Sequence, residues 1–142
     1  MNIWTKTFVS ANALIFRLSD GRLGSRLGKQ AVLLLHTVGR SSGKPYITPL
    51  SFYRDGANYL LVASNWGEKD QPDWFRNLMQ KPQTTIQVKD QTITVKARQM
   101  AGKEYDRLWD QVTKQNPQYL DYQRKVQRRI PIIVLVPVPA AK

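Results

Sequence analysis

The feature that most limits how this chain can fold is the turn Gly39-Arg40-Ser41-Ser42-Gly43-Lys44-Pro45, set between two apolar runs. Ala31-Val32-Leu33-Leu34-Leu35-His36-Thr37-Val38 precedes it, and Tyr46-Ile47-Thr48-Pro49-Leu50-Ser51-Phe52-Tyr53 follows it. Two such runs joined by a Gly-rich turn read as a β-hairpin. The turn also gathers anion-binding chemistry. Gly39 and Gly43 let backbone N–H groups converge, Arg40 and Lys44 add charge, and Ser41 and Ser42 add hydroxyl donors. The same residues suit an ordinary hairpin with solvated cations, so the turn alone leaves phosphate binding open.

The pattern along the rest of the chain alternates strand and helix. Residues 3–18 read as a short amphipathic helix carrying Trp4, Phe8, Leu14, Ile15 and Leu18, and 19–29 as a basic, Gly-rich loop. Residues 1–28 are thus expected to form an N-terminal segment, and 29–142 the cofactor-sized domain. Strands are expected at 31–38, 46–54 (kinked or at an edge at Pro49), 59–64, 84–89, 92–98 and 130–136. Asp55-Gly56 and Asp90-Gln91 are their tight connections. Helices are expected from Pro72 to the Lys81-Pro82 stop, over 102–115, and over 118–129 after the Asn116-Pro117 break. Several antiparallel strands with three or four helices give an α+β domain, closed or half-closed into a barrel.

Composition narrows the chemistry. The chain has 142 residues, no cysteine and a single histidine, His36. That excludes disulfides, a thiol nucleophile and a His-rich metal site, so no metal is expected. His36 lies in an apolar strand and reads as a half-buried, satisfied ring. The formal charge of +12 favours an anionic partner: an anionic lipid surface, a phosphorylated or carboxylated small molecule, or nucleic acid. The basic run Arg124, Lys125, Arg128, Arg129 carries no nucleic-acid motif, so nucleic acid is not expected. With no apolar run of membrane-spanning length and no signal-peptide pattern, the expectation is a cytoplasmic protein whose N-terminal segment could touch an anionic membrane.

The ordered set Thr37-Val38-Gly39-Arg40-Ser41-Ser42-Gly43, Pro49-Leu50, Arg54-Asp55-Gly56, Ala63-Ser64, Pro72-Asp73-Trp74-Phe75-Arg76-Asn77-Leu78, Lys81-Pro82, Tyr119-Leu120-Asp121-Tyr122-Gln123 and Arg129-Ile130-Pro131-Ile132 resembles the deazaflavin-dependent nitroreductase family. The resemblance runs from about Leu23 to Val136. It implies a split β-barrel of the FMN-binding type and the deazaflavin coenzyme F420. It further implies that Arg40, Ser41, Ser42, Gly43 and Lys44 line the anionic end of the cofactor and that Pro49 and Leu50 lie under its ring. Ala63, Ser64 and Asn65 would flank that ring, Trp74 and Asn77 would contact the cofactor from a helix start, and Tyr119 and Tyr122 would stand on the substrate side as the catalytic pair. Tyr119 and Tyr122 are three apart, so both hydroxyls can share one helix face.

The function implied is hydride transfer from reduced F420 to a small, electron-poor acceptor: a quinone, an activated enone or a nitroaromatic. Such chemistry needs neither nucleophile nor metal. This chain departs from many relatives by carrying Ser41, Tyr46 and Asn65 where they carry cations, and Ser51 where some carry tyrosine. FMN or FAD is therefore the rival cofactor within the same fold, and a non-catalytic, membrane-associated cofactor carrier is the rival function. Oligomeric state is left open.

Overall fold

The computed structural model describes residues 31–139. Among them, six antiparallel strands are present: β1 (Ala31–Val38), β2 (Pro45–Asp55), β3 (Asn58–Val62), β4 (Gln83–Val88), β5 (Gln91–Gln99) and β6 (Ile132–Pro137). They close into a barrel in the order β1-β2-β3-β6-β5-β4, and β4 returns to pair with β1 through Leu34–Gln87 and Leu35–Ile86. Three helices accompany them: α1 (Asp73–Gln80), α2 (Gly102–Gln115) and α3 (Gln118–Lys125). The expected α+β split barrel is the observed architecture. The amphipathic helix at 3–18, the loop at 19–29 and the domain boundary at 28 lie outside the described residues.

Side chains alternate across each strand, and on β3 and β6 both faces are apolar. Leu33, Leu35, Ile86, Val95, Ala97, Ile133 and Leu135 fill the barrel, with Phe75 and Leu78 of α1 joining them. The opposite parity of β2, β3 and β6 presents Tyr53, Leu60, Ile132 and Val134 outward, where Leu108 and Val112 of α2 and Tyr119 and Tyr122 of α3 cover them. β3 and β6 therefore serve two cores at once. Each fully buried Leu or Ile on either face contributes about 1.5–3 kcal/mol. Tyr105 ties α2 down by donating its hydroxyl to the Ile130 carbonyl at 2.6 Å.

β2 makes the barrel a split one. It pairs with β1 from Pro45 to Phe52 but with β3 only from Tyr53 to Asp55. From Pro45 to Phe52 its other edge has no strand neighbour among the described residues. Proline gives no N–H to a ladder, so Pro49 fits at this edge. The kink or edge expected at Pro49 is an edge.

Most element bounds match expectation within two residues; α3 does not. The sequence pattern predicts a helix to 129, whereas α3 ends at Lys125 and Val126 is extended (φ −126°, ψ 152°). The released chain lets Arg128 reach back to the loop after β3, as described below. The expected Asp90-Gln91 turn is shifted by one residue: Lys89 takes the left-handed conformation (φ 56°) and Gln91 opens β5.

Candidate active site

The open edge of β2 forms one wall of a continuous trough. Its narrower end is a cavity of about 370 Å³ lined by Thr37, Arg40, Ser41, Ser42, Tyr46, Thr48, Asp73, Trp74 and Asn77. Its wider end, about 710 Å³, runs over Pro49, Leu50 and Ser51 of β2 to Leu61 and Val62 of β3, Ser64, Asn65 and Trp66, and Tyr119 and Tyr122 of α3. Thr48 and Trp74 line both ends, so the two cavities share a wall.

At the narrow end the turn holds itself together. The Gly39 amide donates to the Lys44 carbonyl at 2.6 Å and the Gly43 amide to the Gly39 carbonyl at 2.9 Å. The Lys44 amide donates to Ser42 Oγ at 3.1 Å, and the Arg40 amide to Asn77 Oδ1 at 3.1 Å. Gly43 makes this closure possible by its positive φ of 72°. Among the described residues, the Ser41 and Ser42 amides are the ones left to meet an anion. The sequence reading of a row of inward N–H groups is thus narrowed to two.

Arg40 is engaged as well. Its Nη1 donates to Asn77 Oδ1 at 2.8 Å and its Nη2 to Asp73 Oδ1 at 3.2 Å. Two donors from Arg40 on one oxygen settle the orientation of the buried Asn77 amide and leave its NH2 group as what it can offer a ligand. Asp73 sits in the first turn of α1, at the helix end that favours negative charge, and it brings a carboxylate to the cavity wall. Thr37 is the feature that most asks for a ligand here. It is 5% exposed, and its Oγ1 has no hydrogen-bond partner. Buried hydroxyls are rarely left so, because each costs about 1–3 kcal/mol unpaired.

At the wide end the hydroxyls are organised instead of paired off. Tyr53 donates to the Tyr119 oxygen at 3.0 Å. Asn116 lies near enough to lower the pKa of that phenol, and its Oδ1 accepts from the Gln118 amide at 3.2 Å. With Tyr53 as the donor, the Tyr119 hydroxyl has its own hydrogen to offer. Burial, followed by the neighbouring Tyr53, raises the Tyr119 phenol well above its ordinary range, so it stays protonated at neutral pH. Tyr122 packs against Tyr119 at a ring separation of 6.3 Å.

The loop after β3 forms the lip. Asn65, Trp66 and Gly67 all have positive φ, 49°, 59° and 77°. For the two residues with a Cβ this costs roughly 1–2 kcal/mol each. Arg128 holds the loop: it donates to the carbonyls of Ser64 at 2.8 Å, Ala63 at 3.2 Å and Glu68 at 3.1 Å, and to Gln71 Oε1 at 2.7 Å.

Of the residues expected at the site, Arg40, Ser41, Ser42, Pro49, Leu50, Ser64, Asn65, Trp74, Asn77, Tyr119 and Tyr122 line the trough. Gly43 and Lys44 do not line it; they shape the turn behind it. Ala63 is fully buried in the barrel cluster, and its carbonyl faces Arg128. Thr37, Thr48, Asp73 and Trp66 are trough residues that sequence reasoning did not place there. Thr37 carried a readable signal: it shares the core parity of Leu33 and Leu35 yet is polar.

A split barrel with a trough along its open strand edge, a polar end and a phenol-lined end, has the form of a cofactor-binding barrel. Comparison with known proteins agrees. The model of the F420H(2)-dependent quinone reductase family matches residues 9–137. An F420H(2)-dependent quinone reductase of Mycobacterium tuberculosis is 40% identical over 125 residues, 85% of this chain and 84% of that protein. A solved structure described as an F420-H2 dependent reductase is 30% identical and superposes with a TM-score of 0.67 over 74% of this chain and 93% of that one. The heme storage protein HutZ of Vibrio cholerae, 17% identical with a TM-score of 0.60 over 84% of this chain and 90% of that one, shares the fold. The chain belongs to the F420H(2)-dependent quinone reductase family. It is an oxidoreductase that uses coenzyme F420 and a small-molecule electron acceptor. No helix among the described residues is long and apolar enough to cross a membrane.

Proposed function

We propose that this chain reduces quinones, and that the acceptor lies at the wide end of the trough, against Tyr119 and Tyr122. The observation that carries this reading is the buried Tyr119 hydroxyl, which accepts from Tyr53 and stays protonated at neutral pH, so it can donate a hydrogen bond to a carbonyl oxygen. When bound, reduced F420 supplies the hydride. The residues of the chain do the rest. Thr37 Oγ1 and the Ser41 and Ser42 amides receive the anionic tail, and the NH2 group of Asn77 adds a donor. Pro49, Leu50 and Trp74 give the ring an apolar bed and keep water from it. Tyr119 donates to one carbonyl oxygen of the quinone, which gains a proton there as the hydride arrives. Asn116, the neighbour that lowers this phenol's pKa, then favours the oxygen that gave the proton up, and solvent returns the proton.

An activated enone or a nitroaromatic also needs one polarised oxygen, so these acceptor classes share the site. Anaerobic mixing with reduced F420 and a panel of quinones, enones and nitroaromatics tests the reading. Quinones should turn over fastest, and Tyr119→Phe should lose that turnover while binding the cofactor as before. Faster turnover of enones than of every quinone would overturn the assignment.

A further inference from the structure

We propose that Trp66 selects acceptors with an extended flat ring system, favouring two-ring naphthoquinones over one-ring benzoquinones. This rests on the acceptor lying at the wide end of the trough. Trp66 lines that end and is 77% exposed, an unusual state for the largest apolar side chain. Its indole meets the Tyr122 ring edge to face, with centroids 6.5 Å apart and planes at 79°. Tyr122 in turn adjoins Tyr119, whose proton the reaction uses. An acceptor with one carbonyl on Tyr119 therefore extends its remaining ring area toward the indole.

The placement of Trp66 is built. Its turn is left-handed over Asn65, Trp66 and Gly67. A Cβ on Gly67 would lie 3.1 Å from Tyr122 Cδ1 and 3.3 Å from Tyr122 Cα, so the turn lies directly against α3 with no room for a side chain between. Asn65 Nδ2 donates to the Asp70 carbonyl at 2.9 Å, and Arg128 grips the carbonyls of Ser64 and Glu68 on either side of the turn. A strained turn, fastened at both ends, holds an indole in solvent beside the substrate cleft. Such an indole has ring area to offer a ligand. Stacking gain grows with the ring area covered, so a second fused ring profits and a single ring, already placed on Tyr119 and Tyr122, gains little.

The experiment compares menadione (two rings) with duroquinone (one ring) on wild type, Trp66→Phe and Trp66→Ala. Turnover with reduced F420 is measured alongside direct quinone binding to the oxidised-F420 complex. Trp66→Ala should raise KM and Kd for menadione about 10-fold and for duroquinone less than 2-fold, with kcat and F420 affinity unchanged; Trp66→Phe should fall between. If wild type turns over both quinones and Trp66→Ala shifts neither, or shifts both equally, Trp66 has no such role. If wild type turns over neither quinone, the quinone reading itself fails and takes this inference with it. Loss of F420 affinity in Trp66→Ala would reassign the indole to the cofactor and overturn the proposal.

Discussion

The two ends of the trough are built on opposite plans. At the narrow end polar groups are engaged with one another: Arg40 with Asn77 and Asp73, and the Gly39, Arg40, Gly43 and Lys44 amides within the protein. At the wide end they are aimed, with Tyr53 donating to the Tyr119 oxygen and Asn116 close beside it. A site that holds a cofactor over many turnovers gains from rigidity, because less order must be imposed on binding. A site that moves a proton needs a group whose hydrogen-bond partners change during the reaction. The narrow end should therefore govern affinity and the wide end rate.

The sharpest way to break this division is Tyr119→Phe. Turnover should fall about 10²-fold or more, in the range for loss of a positioned general acid, while the F420 dissociation constant moves by less than about twofold. A matched loss of affinity would mean that the two ends are not separate. Arg40→Ala should do the reverse. It removes the Nη1 donor from the buried Asn77 oxygen and the Nη2 partner of Asp73 while the Arg40 amide stays, so F420 affinity should drop about 10-fold with kcat little changed. Calorimetric titration of the cofactor reads this directly, and parallel titration with FMN and FAD shows whether the same end discriminates between cofactors.

His36 tests whether strand β1 is sensitive to acid. Burial lowers its pKa from 6.5 to about 4, so the unfolded chain binds the proton more readily than the folded one. Stability is then full above about pH 6.5 and declines as pH falls toward 4, by about 1–2 kcal/mol after allowing for the ring's partial exposure. Urea midpoints at about pH 7.5 and pH 5 should differ more for wild type than for His36→Gln. The smallest effect is expected from Asp73→Asn. Removing a carboxylate that is 85% exposed at the cavity wall should tighten F420 binding a few-fold at low salt and not at all in molar salt. Unchanged binding at low salt would place the anionic tail away from α1.

The barrel was legible because its signals are local. Thr84-Thr85-Ile86-Gln87-Val88 and Thr92-Ile93-Thr94-Val95 alternate with period two, and each became a strand in the expected partnership. The end of α3 was not legible. Residues 126–129 continue a helical pattern, and the contacts that accompany the early end of the helix are distant ones, Arg128 on the loop carbonyls after β3. At the site, residue type indicated Arg40, Asn77 and Tyr119, but it could not say whether the turn amides face a ligand or one another. Gly43 and Lys44 were expected to line the anion end and instead lie outside the cavity lining, bonded within the turn. Trp66 was visible as an aromatic residue in a polar loop, but its position over Tyr122 depends on three successive left-handed residues that no local pattern announces.

Pro49 has a consequence beyond the cofactor. A strand edge without a strand neighbour is a template on which another molecule can add a strand, and among the described residues β2 presents one from Pro45 to Phe52. A proline midway along it interrupts the row of donors that an incoming strand would need. The residue at the open wall of the trough thus also disfavours the addition of a strand there.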